Sequence, residues 1–347
     1  MKFKKYFIKN IQPYIIAEIG VNHNCNMKTA FKQINLAKKS GANAVKFQTY
    51  KANLIASKFS PAYWDINEEK TRSQYELFSK YDKFGKKEFI KISKFCKKKK
   101  IDFISTPFDE KCVDYLKRIV SSFKISSSDI TNFPLIKKIA RCNKPIIIST
   151  GASKINEIKK TVKLIKKFNK KELIIMHCIL SYPTENHDAN LNMINDLKKV
   201  FPNYFIGYSD HTKPDKDMLI VKTAFIMGAK VIEKHFTHNK KLKGNDHYHS
   251  MNFKDLKKFR SDLKKIIPLL GKNKKSPVKV EMISRKYARR SLVAKNDLKN
   301  KHKLKKKDLL IKRPGTGIKP QFLNKLIGRT IKKNIKADQI LKWSDFK

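Results

Sequence analysis

The 347-residue sequence is poor in glycine, proline and cysteine, and each shortage excludes a class of protein. Its 11 glycines and 12 prolines exclude collagen-like and Gly/Ser-rich low-complexity chains. The five cysteines are at least 16 positions apart, which indicates neither a C-x-x-C metal site nor a disulfide framework. We therefore expect reduced thiols, buried as small hydrophobic side chains.

Long hydrophobic runs are also missing. No stretch of about eighteen apolar residues is present, so no membrane-spanning helix is predicted. The basic segment MKFKKYFIKN is followed by an apolar stretch that Gln12, Pro13 and Glu18 interrupt, which argues against a secretory signal peptide. With 40% hydrophobic residues the chain can bury a large core, and we expect a soluble globular protein of the cytoplasm with no membrane partner.

Acidic residues are scarce. The 29 Asp and Glu stand against 80 Lys and Arg, a net charge of +51 that ordinarily indicates a nucleic-acid partner. However, only nine of the basic residues are Arg, and the lysines spread over every predicted helix and loop instead of forming one stripe with aromatic residues. We interpret the charge as a compositional bias of solvated surfaces, and we expect weak polyanion binding at low salt but no specific nucleic-acid partner.

The sequence does contain a repeated alternation of short β-branched runs and amphipathic helical segments. Eight runs are typical of strands buried on both faces. They start at Tyr14, Ala44, Asp102, Ser122, Pro145, Leu173, Phe205 and Val231. Their average spacing of about 31 residues matches one β-α unit. Eight such units predict an α/β fold, a (β/α)₈ TIM barrel.

The position of the polar residues favours this barrel over the alternative, a doubly wound open sheet. Nearly every run ends, at its carboxyl side, in residues that can do chemistry, and a barrel brings all of these ends to one mouth. No glycine-rich nucleotide-binding motif follows the first run, although an open sheet that binds a nucleotide would need one there.

Two parts of the chain depart from the regular pattern. Residues 51–101 are rich in Tyr and Phe, which predicts either a lid or dimer contact at the mouth or an insertion packed on the side of the barrel. The end of the chain reads as short strands and turns. We expect a catalytic barrel domain over 1–270, a linker over 271–282 and a small second domain over 283–347.

Three residues at the predicted mouth suggest a metal ion and an acid or base. His211 and His235 end neighbouring runs and can hold one divalent ion while leaving positions open for substrate oxygens, or they can form a hydrogen-bonded pair in the core. Glu18 lies among apolar neighbours, where burial raises the pKa of a carboxyl group, so it is the candidate general acid or base. Its alternative role is an ion pair with a lysine.

Two lysines, Lys46 and Lys124, belong to the second and fourth runs and would place two ammonium groups at the same mouth. The natural counter-ion there is a phosphate or carboxylate group of a small substrate. Hydroxyl donors come from Thr106, Ser127, Ser149 and Ser209. An alternative for Lys124 is the Schiff-base lysine of a metal-free aldolase.

These residues lie in motifs that resemble a known family. The motifs are AEIGVNHN (17–24), VKFQTY (45–50), STPFD (105–109), KISSSDITNFPLI (124–136), STGAS (149–153), YPT (182–184), GYSDHT (207–212), IEKHFT (232–237) and GNDHYHSM (244–251). They are similar to motifs of the N-acylneuraminate (sialic acid) synthases. RRSLVA and KRPGTGI near the end are similar to the small, mainly β, antifreeze-like (SAF) domain of that family. The resemblance runs from about residue 14 to the end of the chain.

The resemblance implies an enzyme that condenses phosphoenolpyruvate with an N-acyl-mannosamine-type sugar, cleaves a C–O bond and releases phosphate and a nine-carbon 2-keto acid of the sialic acid type. An alternative with the same chemistry is a legionaminic or pseudaminic acid synthase that uses a diacetamido-trideoxyhexose. The resemblance also implies Mn²⁺, or another divalent ion such as Mg²⁺ or Co²⁺, as the cofactor.

The resemblance also implies roles for single residues. His211 and His235 would bind the metal, and Glu18 would carry protons. Phosphoenolpyruvate would be held by Lys46, Lys124, Thr106, Ser127, Ser149 and Ser209, and the sugar would be held by Gln48, Tyr182 and Asp246. Because dimers of the family are domain-swapped, we expect a homodimer in which Arg313 of one chain touches the N-acyl group of the sugar bound to the other.

Several positions depart from the pattern of the family. KISSSD lacks the usual glycines and has Asp129 where Glu is usual, so the loop after the fourth run is expected to differ in shape. Leu180 stands where Asn or Ser is usual, which removes one expected polar contact. His247 and His249 flank Tyr248, a difference that bears on which sugar fits.

Overall fold

The computed structural model describes residues 2–64, 66–244 and 246–347. The chain divides into two compact units, Met1–Leu270 and Gly271–Lys347. In the described ranges we find no helix with the length and apolar character needed to cross a membrane.

The first unit is built on eight parallel strands that are hydrogen-bonded in chain order, with the eighth closing on the first. The strands are β1 (Tyr14–Gly20), β2 (Ala44–Thr49), β3 (Asp102–Pro107), β4 (Ser122–Ile125), β5 (Ile146–Ser149), β6 (Leu173–His177), β7 (Phe205–Asp210) and β8 (Val231–His235). The prediction of a (β/α)₈ barrel is therefore confirmed, and the open sheet is not formed.

Helices surround this barrel. They are α1 (Lys2–Lys9), α2 (Met27–Ser40), α3 (Ala52–Ile55), α4 (Gln74–Tyr81), α5 (Lys86–Lys98), α6 (Glu110–Ile119), α7 (Phe133–Ala140), α8 (Ile155–Phe168), α9 (Met193–Val200), α10 (Leu219–Ile226) and α11 (Phe253–Leu270). The residues that flank α2 explain where this helix begins and ends. The Asn26 side chain accepts a hydrogen bond from the backbone N–H of Thr29, and Gly41 ends the helix at φ 102°, a conformation that favours glycine.

The inside of the barrel is apolar at one end and polar at the other. Because side chains alternate along a strand, every second residue points inward. Near the amino ends of the strands these residues form one apolar cluster with Phe3 of α1, and it includes Tyr14, Ile16, Ile104, Ile147, Ile174, Met176 and Val231. Two residues further along β1 and β8 the inward positions carry Glu18 and Glu233. The polar end is the mouth of the barrel, where the carboxyl ends of the strands meet.

The described residues between β2 and β3 include the helices α3, α4 and α5. The last of these is the regular β-α helix, and its Phe89, Ile92 and Cys96 are buried in the core between strands and helices. The earlier part runs along the mouth, where Tyr63 and Phe78 line the cavity described below. Part of the excursion thus contributes to the wall of the mouth.

The second unit has its own small core. An antiparallel pair, β9 (Ser291–Ala294) and β10 (Leu309–Lys312), is accompanied by the short helices α12 (Met282–Tyr287) and α13 (Leu323–Leu326). The segment IGRTIKKNI, in the stretch expected to form short strands and turns, is joined to its neighbours through isolated bridges such as Lys303–Thr330 and Leu298–Ile335. Small apolar side chains, among them Leu292 and Ile331, fill this core.

Candidate active site

The register of the barrel strands brings the predicted chemical residues together at the mouth. Glu18 lies opposite Lys46 on β2 and opposite His235 on β8. A cavity of about 480 Å³ opens there. Eleven of the predicted site residues line it: Lys46, Gln48, Thr106, Lys124, Ser127, Ser149, Tyr182, Ser209, His211, His235 and Asp246.

The buried end of the cavity holds two lysines that flank one carboxylate. Lys46 Nζ lies 3.6 Å, and Lys124 Nζ 3.9 Å, from Oε1 of Glu233. Ser209 Oγ donates to the same oxygen at 3.0 Å. Glu233 is absent from the sequence prediction, although it lies in the motif IEKHFT. The alternation of β8 was a usable signal, because Glu233 and His235 share the inward face.

Hydroxyl groups complete the surroundings of both ammonium groups. Lys46 Nζ donates to Thr106 Oγ1 at 3.2 Å, and Lys124 Nζ donates to Ser149 Oγ at 2.5 Å. Glu233 Oε2 has no hydrogen-bond partner within the described residues. The end of the cavity therefore carries cations, hydroxyl donors and one unsatisfied acceptor, a suitable setting for an anionic substrate with hydroxyl or water neighbours.

Burial and charge together set the protonation of these groups. Burial raises the pKa of Glu18 even though the nearby Lys46 ammonium, 3.0 Å away, opposes the shift. Burial also lowers the pKa of Lys124, against the attraction of Glu233. For Lys46 burial acts in the same direction, but Glu18 and Glu233 together outweigh it and raise the pKa. Glu18 therefore binds a proton more readily than an exposed carboxyl group does.

The loop after β4 packs closely against the loop after β5. Ser127 Oγ accepts a hydrogen bond from the Gly151 backbone N–H at 2.9 Å and lies 3.0 Å from Cys178 Sγ. A Cβ at Gly151 would come within 3.0 Å of both of those side-chain atoms, so a larger residue would displace Ser127. Asp129 and Leu180, two of the departures from the family pattern, also line the cavity.

Histidines occupy the other side of the cavity. His211 Nδ1 lies 2.6 Å from the carbonyl oxygen of Ile179, so Nδ1 carries the proton and donates, while Nε2 keeps its lone pair. Burial, followed by the neighbouring His235, lowers the pKa of His211 to about 3, which keeps the ring neutral. Tyr182 packs against it with ring centres 4.2 Å apart.

The geometry of these rings fits a divalent ion. Two imidazoles on one ion, with bonds of about 2.1 Å, have ring centres at most about 6.6 Å apart. The centres of His211 and His235 are 5.8 Å apart. His235 also belongs to a buried group, with Asp246 and His249, whose ligand atoms all lie within 4.8 Å of one another. Imidazole nitrogens with a carboxylate oxygen are suitable ligands for Mn²⁺, Co²⁺ or Zn²⁺.

Two of the residues predicted to contact the sugar, Asp246 and Arg313, differ from the other predicted site residues in their surroundings. Asp246 faces His235, with Oδ2 3.3 Å from Nδ1, in addition to lining the cavity. The charge of His235 lowers the pKa of Asp246 although burial opposes the shift. Arg313 belongs to the second unit, where it is exposed and directly follows β10.

Comparison with known proteins identifies the family. The sequence profile of the NeuB family matches residues 33–275, and that of the SAF domain matches residues 289–347. The chain belongs to the NeuB family. It is an enzyme of the sialic acid synthase type, with an SAF domain at its carboxyl end.

Three relatives of this enzyme illustrate the range of products for which members of the family are named. It is 38% identical to N,N'-diacetyllegionaminic acid synthase of Campylobacter jejuni, over 94% of this chain and 98% of the relative. It is 33% identical to N-acetylneuraminate-9-phosphate synthase of Drosophila melanogaster, over 94% of each chain. The solved N-acetylneuraminic acid synthetase of Leptospira borgpetersenii, in complex with citrate, is 35% identical with a TM-score of 0.70, covering 79% of this chain and 90% of that chain.

Proposed function

We propose that this NeuB-family enzyme condenses phosphoenolpyruvate with the aldehyde form of an N-acyl-mannosamine-type sugar. C3 of phosphoenolpyruvate bonds to the aldehyde carbon, water adds at C2, and the C2–O bond breaks to release phosphate and a sialic-acid-type 2-keto acid. The observation that carries this proposal is the pair of buried lysines, Lys46 and Lys124, around Glu233, in one cavity with His211 and His235.

The lysines bind the anionic substrate. Two ammonium groups at the end of the cavity neutralise the phosphate and the carboxylate of phosphoenolpyruvate. Thr106, Ser127, Ser149 and Ser209 add hydroxyl donors around them. Glu233 holds both lysines, at 3.6 and 3.9 Å, in place before the substrate arrives, so little reorganisation accompanies binding.

Glu18 handles the proton. Its buried carboxyl, with a raised pKa, lies 3.0 Å from Lys46 and opposite His235 in the register of β1 and β8. That position lies between the anion site and the histidines. A protonated Glu18 can donate to the new hydroxyl, and its carboxylate can then accept a proton from the water that adds at C2.

His211 and His235 would hold the divalent ion, which we propose to be Mn²⁺, with Mg²⁺ or Co²⁺ as substitutes. When bound, the ion polarises the aldehyde oxygen of the sugar. Gln48, Tyr182 and Asp246 line the same side of the cavity and would contact the sugar hydroxyls and the acyl group.

The division of labour between the units is part of the proposal. The barrel, residues 1–270, is the catalytic domain, residues 271–282 link it to the small domain, and residues 283–347 form that domain. We propose a cytoplasmic, domain-swapped homodimer in which Arg313 of one chain holds the N-acyl group of the sugar in the other. A guanidinium group can donate to an acyl carbonyl and stays charged.

A second candidate keeps the chemistry and changes the sugar. The relative with 38% identity over almost its whole length is named as a diacetyllegionaminic acid synthase. Leu180 adds an apolar surface to the cavity wall, which suits a deoxy or acyl-substituted position better than a hydroxyl. The acceptor would then be a 2,4-diacetamido-2,4,6-trideoxyhexose.

The test is phosphate release from phosphoenolpyruvate with N-acetylmannosamine and, in parallel, with 2,4-diacetamido-2,4,6-trideoxymannose, each with Mn²⁺ and with excess EDTA. Release with one sugar that EDTA abolishes would support the proposal and identify the substrate. Release that persists in EDTA, with a pyruvyl adduct on Lys124 trapped by borohydride, would replace it with the Schiff-base mechanism. The absence of release with every sugar of this class would contradict it.

A further inference from the structure

We propose that His249 is a further protein ligand of the divalent ion. This enzyme would then bind its metal through Asp246 and His249 in addition to the two expected ligands, His211 and His235. The inference rests on the proposed function, since it concerns the same metal site. From the sequence, His249 is expected to bear on which sugar fits, and only His211 and His235 are expected to bind the metal.

The first observation is that the ring of His249 is buried and unpartnered. Its exposed fraction is 0%, and neither ring nitrogen has a hydrogen-bond partner within the part of the chain that the structure describes. A polar group left without a partner in the interior destabilises the folded state. A ligand at this position would satisfy the nitrogen lone pair.

The second observation is that two other potential metal ligands lie close to this ring. Its centre is 4.9 Å from that of His235, within the limit for two imidazoles on one ion. The carboxylate of Asp246 lies between the two rings, with Oδ2 3.3 Å from His235 Nδ1 and Oδ1 4.0 Å from His249 Nε2. Two imidazoles and a carboxylate within 4.8 Å of one another form a suitable donor set for a divalent transition metal.

The third observation is that the backbone holds the loop that carries His249 against β8. The Met251 N–H donates to the His235 carbonyl at 2.8 Å, and the Thr237 N–H donates to the Met251 carbonyl at 2.9 Å. Ser250 Oγ also donates to the carbonyl oxygen of Asp246. The backbone around His249 is therefore fixed by hydrogen bonds to β8 and within the loop, which supports the preorganisation that a metal ligand needs.

A neighbouring histidine in the same loop supplies a matched comparison. His247 is also buried, with an exposed fraction of 1%, but its Nδ1 lies 2.8 Å from Thr237 Oγ1. His247 is not a member of the group of potential metal ligands. Removing either imidazole deletes the same volume from the same loop, whereas only His249 is expected to contribute to metal affinity.

The test is Mn²⁺ binding to the full-length protein, followed by the electron paramagnetic resonance signal of the free ion, for the wild type and the variants His249→Ala, His247→Ala and His235→Ala. We expect His249→Ala and His235→Ala to bind Mn²⁺ about tenfold or more weakly, and His247→Ala to stay within about threefold of the wild type. The visible absorption of bound Co²⁺ should change in His249→Ala and keep its wild-type form in His247→Ala.

Two further measurements keep the inference separable from the proposed function and from folding defects. His249→Gln fills the ring volume, and pulsed electron paramagnetic resonance of the Mn²⁺-loaded wild type counts its coupled imidazole nitrogens without any variant. Wild-type affinity and an unchanged Co²⁺ spectrum in both His249 variants, with binding lost in His235→Ala, would overturn the role of His249 and leave the proposed function standing. A wild type that binds no Mn²⁺ would overturn both.

Discussion

Lys234 Nζ lies 2.6 Å from Asp210 Oδ2, and both side chains are at least 98% buried on the outward faces of β8 and β7. Lys234 also donates to the carbonyl oxygen of Thr212 at 2.5 Å. Asp210 precedes His211 in the chain and Lys234 precedes His235, so one buried ion pair fixes the backbone before both histidines.

Lys234→Met should therefore destabilise the barrel strongly. It leaves the Asp210 carboxylate buried without its counter-charge, for which we expect a loss of about 3–5 kcal/mol in the free energy of unfolding. Urea unfolding followed by circular dichroism measures this loss. The double variant Asp210→Asn/Lys234→Met should recover part of it, and a double variant less stable than Lys234→Met would contradict the explanation.

Glu233→Gln tests the carboxylate between the two lysines. Without its charge, Lys46 and Lys124 repel each other more and lose the carboxylate that forms an ion pair with both, so we expect KM for phosphoenolpyruvate to rise about tenfold or more. The KM for the sugar should change little. The exposed Glu110→Gln serves as the control. An equal effect of Glu233→Gln on both KM values would argue against a role at the phosphoenolpyruvate end of the cavity.

The buried ring of His23 is expected to make the free energy of unfolding depend on pH. It is buried and stacked on Phe84 at 4.5 Å, and its Nδ1 accepts a hydrogen bond from the Cys25 N–H, which requires a neutral ring. Burial lowers its pKa from 6.5 to about 4. The unfolded chain binds the proton first as the pH falls, so this contribution is complete above pH 6.5 and is lost towards pH 4.

The measurement is the free energy of unfolding of the wild type and of His23→Asn between pH 7 and pH 4. The Asn oxygen can replace Nδ1 as the acceptor but does not titrate. The wild type should lose about 3 kcal/mol more than the variant over this range. Parallel pH curves for the two proteins would show that His23 titrates normally in the folded state.

Gly207→Ala tests the close approach of β7 and β8. A Cβ at Gly207 would lie 2.8 Å from the Val231 carbonyl oxygen and 3.1 Å from Met176, and the backbone oxygen cannot move aside. We expect a loss of about 1–3 kcal/mol in the free energy of unfolding. Gly85→Ala, whose nearest neighbour would be Glu88 at 3.7 Å, should cost at most about 1 kcal/mol. Equal losses would exclude the steric explanation.

The barrel could be predicted from the sequence because its strands are buried on both faces. Such strands appear as short β-branched runs, and their spacing follows from the length of a β-α unit. The polar residues at the strand ends could be assigned to one mouth by the same logic, and Lys46, Lys124, His211 and His235 do line one cavity.

Other parts of the site depend on tertiary structure that has no periodic signal. Glu233 acquires its importance only when β2 and β4 bring two lysines to it. His249 lies 14 positions after His235 in an irregular loop, and no spacing rule predicts that the two rings pack at 4.9 Å. The second unit is expected from the sequence to contain short strands and turns, and its segment IGRTIKKNI pairs with neighbouring segments through isolated bridges.

The helix α1 closes the end of the barrel opposite the mouth. Phe3 is fully buried there and packs edge-on against Tyr14, with ring centres 5.0 Å apart. The cavity is thus closed at the base of the barrel and open only at the mouth, as far as the described residues show. On β2, Lys46 lies two residues nearer the closed end of the barrel than Gln48, so in the proposed binding mode the anion enters before the sugar, and the bound sugar covers the anion. With both substrates bound as proposed, the closed base of the barrel requires this order of binding at the mouth.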